Sequence, residues 1–195
     1  LKNKFTILGS GSSLGAPWIT NYMGKLKKNS KNIRTRCCAH IKYGNLSILI
    51  DTSPDIKSQF LKNKINSLDA IIYTHEHADQ TSGIFEMRPF FWKNKKKIPV
   101  YGSKRTINAL ISKYTFCFKP RHGYKPIMAT NIIKNKFEVK VNNKKFKITA
   151  FDVIHGMIKA NGFLFNKIAY ISDCNKIPKN SLKNLFNLDY LVIDC

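Results

Sequence analysis

The segment Thr74-His75-Glu76-His77-Ala78-Asp79-Gln80 gathers the residue types that hold metal ions, and it stands where the apolar run Leu68–Thr74 gives way to a loop. In extended chain the side chains at i and i+2 point the same way, so His75 and His77 converge on one point. Imidazole suits zinc-, iron- or manganese-type ions, and a nearby carboxylate suits the harder partner of a pair. Three further apolar runs end on a histidine or an acid: Val153-Ile154-His155, Tyr170-Ile171-Ser172-Asp173 and Ile48-Leu49-Ile50-Asp51. Singly, His155 reads as a packed core histidine and Asp173 as the cap of a turn. In a chain with five His and 11 acidic residues, their coincidence with His-x-His-x-Asp marks one constellation rather than scatter.

The elements that must position these residues are short. Lys4–Leu8, Leu46–Asp51, Leu68–Thr74, Ile98–Gly102, Phe137–Val141, Phe146–Val153, Gly162–Phe165, Ile168–Ser172 and Tyr190–Ile193 read as strands, being apolar runs bounded by turn residues. Asn142-Asn143 and Asn166-Lys167 are hairpin signals, because Asn tolerates positive φ. Ser53-Pro54 offers an N-cap with proline at the first helical position of a helix reaching Lys62. Ser103 caps a helix to Tyr114, and Ser181 opens a short one. Between the first two strands, Gly9 to Arg36 is a long loop of the kind that is usually functional or mobile. Strands mixed with helices, and hairpins in the middle, fit an α/β sandwich better than a doubly wound parallel sheet.

At 195 residues and 22.4 kDa, without repeat or linker, the chain is expected to be a single domain. No apolar run approaches the length of a membrane span and no leader pattern opens the chain, so a cytoplasmic protein is expected. Cys37 and Cys38 are adjacent while Cys117, Cys174 and Cys195 stand apart, which suits neither a disulfide framework nor a zinc ribbon. The net charge of +23 admits a polyanion partner. Yet the lysines are spread through every segment rather than gathered with arginines, which favours a general compositional trend. Because the apolar run Leu188–Ile193 lies almost at Cys195, a C-terminal piece of the domain is expected to be missing.

His75-x-His77-x-Asp79, then His155, then Asp173, resembles the ordered ligand set of the metallo-β-lactamase superfamily. Gly9-Ser10-Gly11-Ser12 with Gly15-Ala16-Pro17, the run Asn32 to Arg36, Asp51-Thr52-Ser53-Pro54-Asp55 and Gly83-Ile84 are similar to its phosphoribosyl cyclic phosphodiesterase branch. The resemblance spans essentially the whole chain. It implies an αβ/βα four-layer sandwich with one or two divalent ions, Zn or Mn, at one edge. His75, His77 and His155 would hold one ion, Asp79 the second, and Asp173 would bridge them. Asp79 would also be the catalytic carboxylate, and Asp51 would orient ligands from behind. A metal-bound hydroxide would then attack a phosphate ester.

Two departures stand out. The family usually has histidine where this chain has Gln80, a neutral amide that would sit beside the ligands and hold a second ion weakly. The family's last metal histidine follows the strand that here ends at Asp194-Cys195. The family's zinc-binding cysteines have no counterpart in Trp18–Asn32, so no structural zinc is expected. The Gly9–Gly15 segment is not a dinucleotide fingerprint, since Pro17 obstructs a following helix and no acid follows at the required distance. Arg34 and Arg36 are candidates for gripping a substrate phosphate, with solvated loop arginines the plain alternative. Lys119, Arg121 and His122 are open to the same doubt, and His40 reads as packed.

The expected function is a metal-dependent hydrolase, a phosphodiesterase acting on a small cyclic or diester phosphate. The alternatives are an RNA-processing nuclease of the same superfamily, disfavoured by the lack of an inserted tRNA-holding arm, and a binding module whose second metal site has decayed. No membrane partner is expected, and a homodimer is left open.

Overall fold

The computed structural model describes residues 3–27, 29–141 and 144–194, and among these the strands form two sheets. The first runs, in spatial order, β1 (Lys4–Gly9), β2 (Cys38–Tyr43), β3 (Leu46–Ile50), β4 (Ala70–Ile72), β5 (Ile98–Gly102) and β6 (Met128–Ile132). β1, β2 and β3 are antiparallel neighbours, and β3 to β6 are parallel. Parallel neighbours need crossovers. Here these carry α1 (Ile56–Lys62), then α2 (Ala78–Thr81) and α3 (Arg88–Asn94), then α4 (Lys104–Lys113) and α5 (Thr115–Phe118). The second sheet is β7 (Lys136–Val141), β8 (Lys144–His155), β9 (Ile158–Phe165) and β10 (Ile168–Ile171), all antiparallel, with β11 (Tyr190–Ile193) parallel to β10 at the edge. The short helix α6 (Lys179–Leu182) lies in the connection between β10 and β11.

Period-two alternation sorts the side chains into layers. Ile48, Ile50, Ala70 and Ile72 pack towards Val139, Phe146, Ile148, Phe163 and Tyr170 of the second sheet. Leu49, Ile71 and Val100 point the other way, onto Ile56, Phe60, Ile107 and Leu110 of the helices. Phe151, Val153 and Ile171 cover the far face of the second sheet with Ile177 and Leu185. The result is helix, sheet, sheet, helix, as expected. A strand buried on both faces is apolar at nearly every position, which is why Leu46–Ile50, with the hydrogen-bonded Ser47 as its one polar residue, lacks visible alternation. Each such aliphatic side chain contributes roughly 1.5–3 kcal/mol on burial.

Several local expectations are corrected. β2 has no sequence counterpart in the expectations above, because its polar His40 and Lys42 interrupt the apolar run. Helix α1 begins after Asp55 rather than at Pro54, and Ser53 instead accepts the Asp55 N–H at 3.0 Å in a turn. Pro178, not Ser181, precedes α6, and Ser181 is buried within it. β11 lies at the edge of the second sheet, with Tyr190, Leu191 and Ile193 exposed. Asn142-Asn143 lies outside the described residues, although β7 and β8 pair antiparallel as a hairpin requires. The Asn166 turn is confirmed, with φ 52° and Phe165 opposite Ile168. No helix among the described residues is long and apolar enough to cross a membrane.

Candidate metal centre

β4 and β8 deliver the three histidines to one place. The ligand nitrogens of His75, His77 and His155 lie within 4.8 Å of one another. The rings stand edge to face, with centroids 4.6 Å apart for His75–His77, 5.2 Å for His75–His155 and 5.0 Å for His77–His155. Glu76, between the first two, points away as alternation demands. It takes Arg105 Nε at 2.6 Å, while Lys113 Nζ donates to its carbonyl at 2.7 Å. Helix α4 thus clamps the motif from behind.

His75 is fully buried, and its two nitrogens differ. Nδ1 lies 3.0 Å from Thr74 Oγ1, whereas Nε2 is buried with no hydrogen-bond partner. Thr74 Oγ1 donates to Asp51 Oδ2 at 2.9 Å and accepts from Ser172 Oγ at 3.1 Å. Both Asp51 oxygens face Thr74 donors, its N–H and its hydroxyl, so the single Thr74 hydroxyl proton is spent on the carboxyl and His75 Nδ1 is left to donate to Thr74. Nε2 then carries a bare lone pair. A buried acceptor without a partner costs about 1–3 kcal/mol. A cation between the imidazoles removes that cost, and the three nitrogen donors fit a zinc-type ion.

Asp51 therefore acts through Thr74 rather than on a histidine directly. Its Oδ1 also accepts the Thr74 N–H at 2.8 Å, and its backbone is held at φ 63°, a strained value for a residue with a Cβ. Burial pushes the Asp51 carboxyl well up, its Thr74 hydrogen bonds pull it down, and Asp173 and Asp79 push it up further. Burial likewise raises Asp173, opposed by Ser172 and His155 and reinforced by Asp79. Burial, then the neighbouring His77, His155 and Lys113, lower His75 to about 3, which keeps it neutral.

Gln80 ties the two other carboxylates together. Its Nε2 donates to Asp79 Oδ2 at 3.2 Å and to Asp173 Oδ2 at 3.0 Å, while its buried Oε1 has no partner. Its carbonyl accepts the Thr52 N–H at 2.7 Å, which fixes the start of α2 against the loop after β3.

Asp79, Gln80 and Asp173 line a cleft of about 320 Å³ with Gly9 to Ser13 and Arg34. Arg34 Nη1 donates to Ser10 Oγ at 2.8 Å, which holds the guanidinium at the cleft rim. Arg36 is not in the lining. Its Nε lies 2.9 Å from Asp55 Oδ2, an ion pair poorly aligned for a hydrogen bond, and its backbone N–H donates to the same oxygen. Lys119, Arg121 and His122 lie outside both the cleft lining and the histidine cluster. Thr74 and Ser172 were missed in the sequence. Their only signal is that each directly precedes an expected ligand.

Comparison with known proteins agrees with this layout. A family model described as the beta-lactamase superfamily domain matches residues 47–195. A curated protein from Porphyromonas gingivalis, named octanoyltransferase, is 25% identical over 191 residues, or 96% of this chain. The chain spans only 38% of that relative's length. Among solved structures, a diphosphatase of the PhnP family superposes with a TM-score of 0.85 at 28% identity, over 98% of this chain and 72% of the other. Zn²⁺-bound PqqB from Methylobacterium extorquens gives 0.75 at 15% identity over 99% and 72%. The short form of human tRNase Z gives 0.67 at 18% over 97% and 76%. Family match, two-sheet architecture and histidine cluster together establish that the chain belongs to the metallo-β-lactamase superfamily of metal-dependent hydrolases.

Proposed function

We propose that this chain is a metal-dependent phosphodiesterase whose ion is held by His75, His77 and His155. The observation that carries the reading is the buried, partnerless Nε2 of His75 facing two further imidazoles. A divalent ion in that place would supply Lewis-acid polarisation of a phosphoryl oxygen and activation of water. Zinc is the first choice for three imidazoles, with manganese favoured if the carboxylates of Asp79 and Asp173 join the set.

The remaining work falls to the chain's own groups. Thr74 and Asp51 hold the His75 ring in one tautomer and orientation. Arg34, propped by Ser10, offers planar N–H donors to a phosphate lying in the cleft. Asp79 is proposed as the catalytic carboxylate, orienting water beside that phosphate, with Asp173 opposite it across Gln80. The cleft volume suits a small diester, and the likeness to the PhnP-family diphosphatase supports phosphate-ester chemistry. Residues 1–195 are read as one unit, because a single core cluster joins both sheets.

The test is an assay of the metal-loaded chain on an aryl phosphodiester and on a short RNA. Diester cleavage that Asp79→Asn abolishes, with Arg34→Gln raising KM about tenfold and Arg36→Gln leaving KM unchanged, is expected if a single charge-assisted contact is lost. Cleavage of RNA alone would move the assignment to the nuclease reading, which the net charge of +23 would suit. No turnover of either substrate defeats both.

A further inference from the structure

A second cavity, of about 330 Å³, opens between α3, α5 and the loop before β6, and shares no lining residue with the cleft at Asp79 and Asp173 or with the histidine cluster. Phe85, Trp92, Phe116 and Tyr124 line it with Arg88 and Lys125. The rings keep unusual exposure for their type, 52% for Trp92 and 75% for Tyr124. Phe85 and Phe116 meet edge to face at 5.3 Å. The Arg88 guanidinium carbon lies 4.1 Å from the centre of the Phe85 ring and 4.8 Å from that of Trp92. Arg88 is therefore held by stacking rather than by an acid. Its Nε is nevertheless buried without a hydrogen-bond partner, and among the described residues no carboxylate lines the cavity.

These features point to one ligand chemistry. Rings left open to water gain by covering a flat apolar face, and stacking adds to that gain. Two cations with no counter-charge in the lining favour an anion, and a buried N–H lacking an acceptor favours an oxygen. We infer that this cavity is a second ligand site, taking a flat aromatic ring that carries a negatively charged oxygen group, as a nucleobase with its phosphate does. The ring lies against Trp92 and Tyr124, and the anion pairs with Arg88 and Lys125. The inference stands apart from the metal assignment, since none of its residues belongs to the histidine cluster.

Trp92 makes the site measurable. The chain holds two tryptophans, so Trp18→Phe leaves Trp92 as the sole reporter. With a chelator present, adenosine monophosphate should quench its fluorescence saturably. Adenosine should bind at least tenfold more weakly, and inorganic phosphate should neither quench nor compete. Lys125→Gln, at an exposed rim position that leaves folding untouched, should weaken binding several-fold, and Arg88→Gln more than tenfold. A short oligoadenylate binding tenfold tighter than the mononucleotide would identify the source as a strand end, and equal affinity as a free nucleotide. The inference is overturned if the nucleotide does not quench, if phosphate alone competes, or if Lys125→Gln binds like the parent. It is also overturned if the patch proves, by concentration-dependent sedimentation, to be covered by a second copy of the chain.

Discussion

The first sheet holds two buried histidine environments, one at the β2–β3 pairing and one where β4 runs out. His40 on β2 and His75 beyond β4 are both pushed down by burial, to about 4 and about 3. Their hydrogen bonds separate them. His40 Nε2 lies 2.8 Å from Ser47 Oγ, whose own proton goes to the Ser67 carbonyl at 2.5 Å, so His40 must be the donor and the small network closes. His75 has its Nδ1 fixed by Thr74 and its Nε2 left open towards two more imidazoles. A depressed pKa marks a dry histidine. An unspent lone pair in a converging set marks one that is waiting for a ligand.

The sharpest break between the two regions is metal content. The double variant His75→Ala/His77→Ala is expected to lose bound metal almost completely, whereas His40→Gln keeps the parental amount. Elemental analysis after gel filtration decides this, and equal metal in all three proteins would remove the assignment.

A smaller difference appears in stability against pH. The folded His40 resists protonation down to about 4, while the unfolded chain takes the proton near 6.5. Between those values the unfolded state binds more protons, so this histidine's contribution to stability is full above 6.5 and is lost as pH falls towards 4. The interval corresponds to about 3 kcal/mol. Denaturant melts of the parent and His40→Gln should therefore diverge in slope between pH 6.5 and 4, the variant losing less. Parallel profiles would show that His40 is not neutral in the fold.

Smaller again is the effect of the relay behind His75. Thr74→Val keeps shape but removes the hydroxyl that joins Asp51, Ser172 and His75. Lost orienting partners of this kind cost about 10- to 100-fold in metal affinity. Competition against a chromogenic chelator measures it, and an unchanged Kd would mean that packing alone orients the ring. The least effect is expected from Gln80→His. A neutral amide donating to both Asp79 and Asp173 occupies their lone pairs as a hydrogen-bond donor, where an imidazole would face them as a further ligand. Metal stoichiometry should rise from one ion towards two. A parental protein that already holds two ions, with no gain from Gln80→His, would show that Gln80 is a competent ligand or a bystander.

Much of this was legible because local rules produced it. His75 and His77 share a side by strand alternation, and His155 and Asp173 stand at or just beyond the ends of strands that close on apolar residues. The helix capped by Ser103 needed only a hydroxyl and its neighbours, and Ser103 Oγ accepts the Thr106 N–H at 3.2 Å. β2 was not legible, since His40 and Lys42 interrupt its apolar pattern until Ser47 and the flanking β1 and β3 are in place. The unequal fates of Arg34 and Arg36 were equally hidden. Two residues apart in one loop, they are separated only by which partner, Ser10 or Asp55, the folded chain brings beside them.

The sequence by itself determined the candidate ligand types, their order and the strand ends that present them, because residue chemistry and the period of an extended chain are local properties. Only the tertiary structure decided that Asp51 reaches His75 through Thr74, that Gln80 spans Asp79 and Asp173, and that Arg88 sits uncountered among aromatic rings. Those facts depend on which distant segments meet, and on which lone pairs and protons are left over once they have.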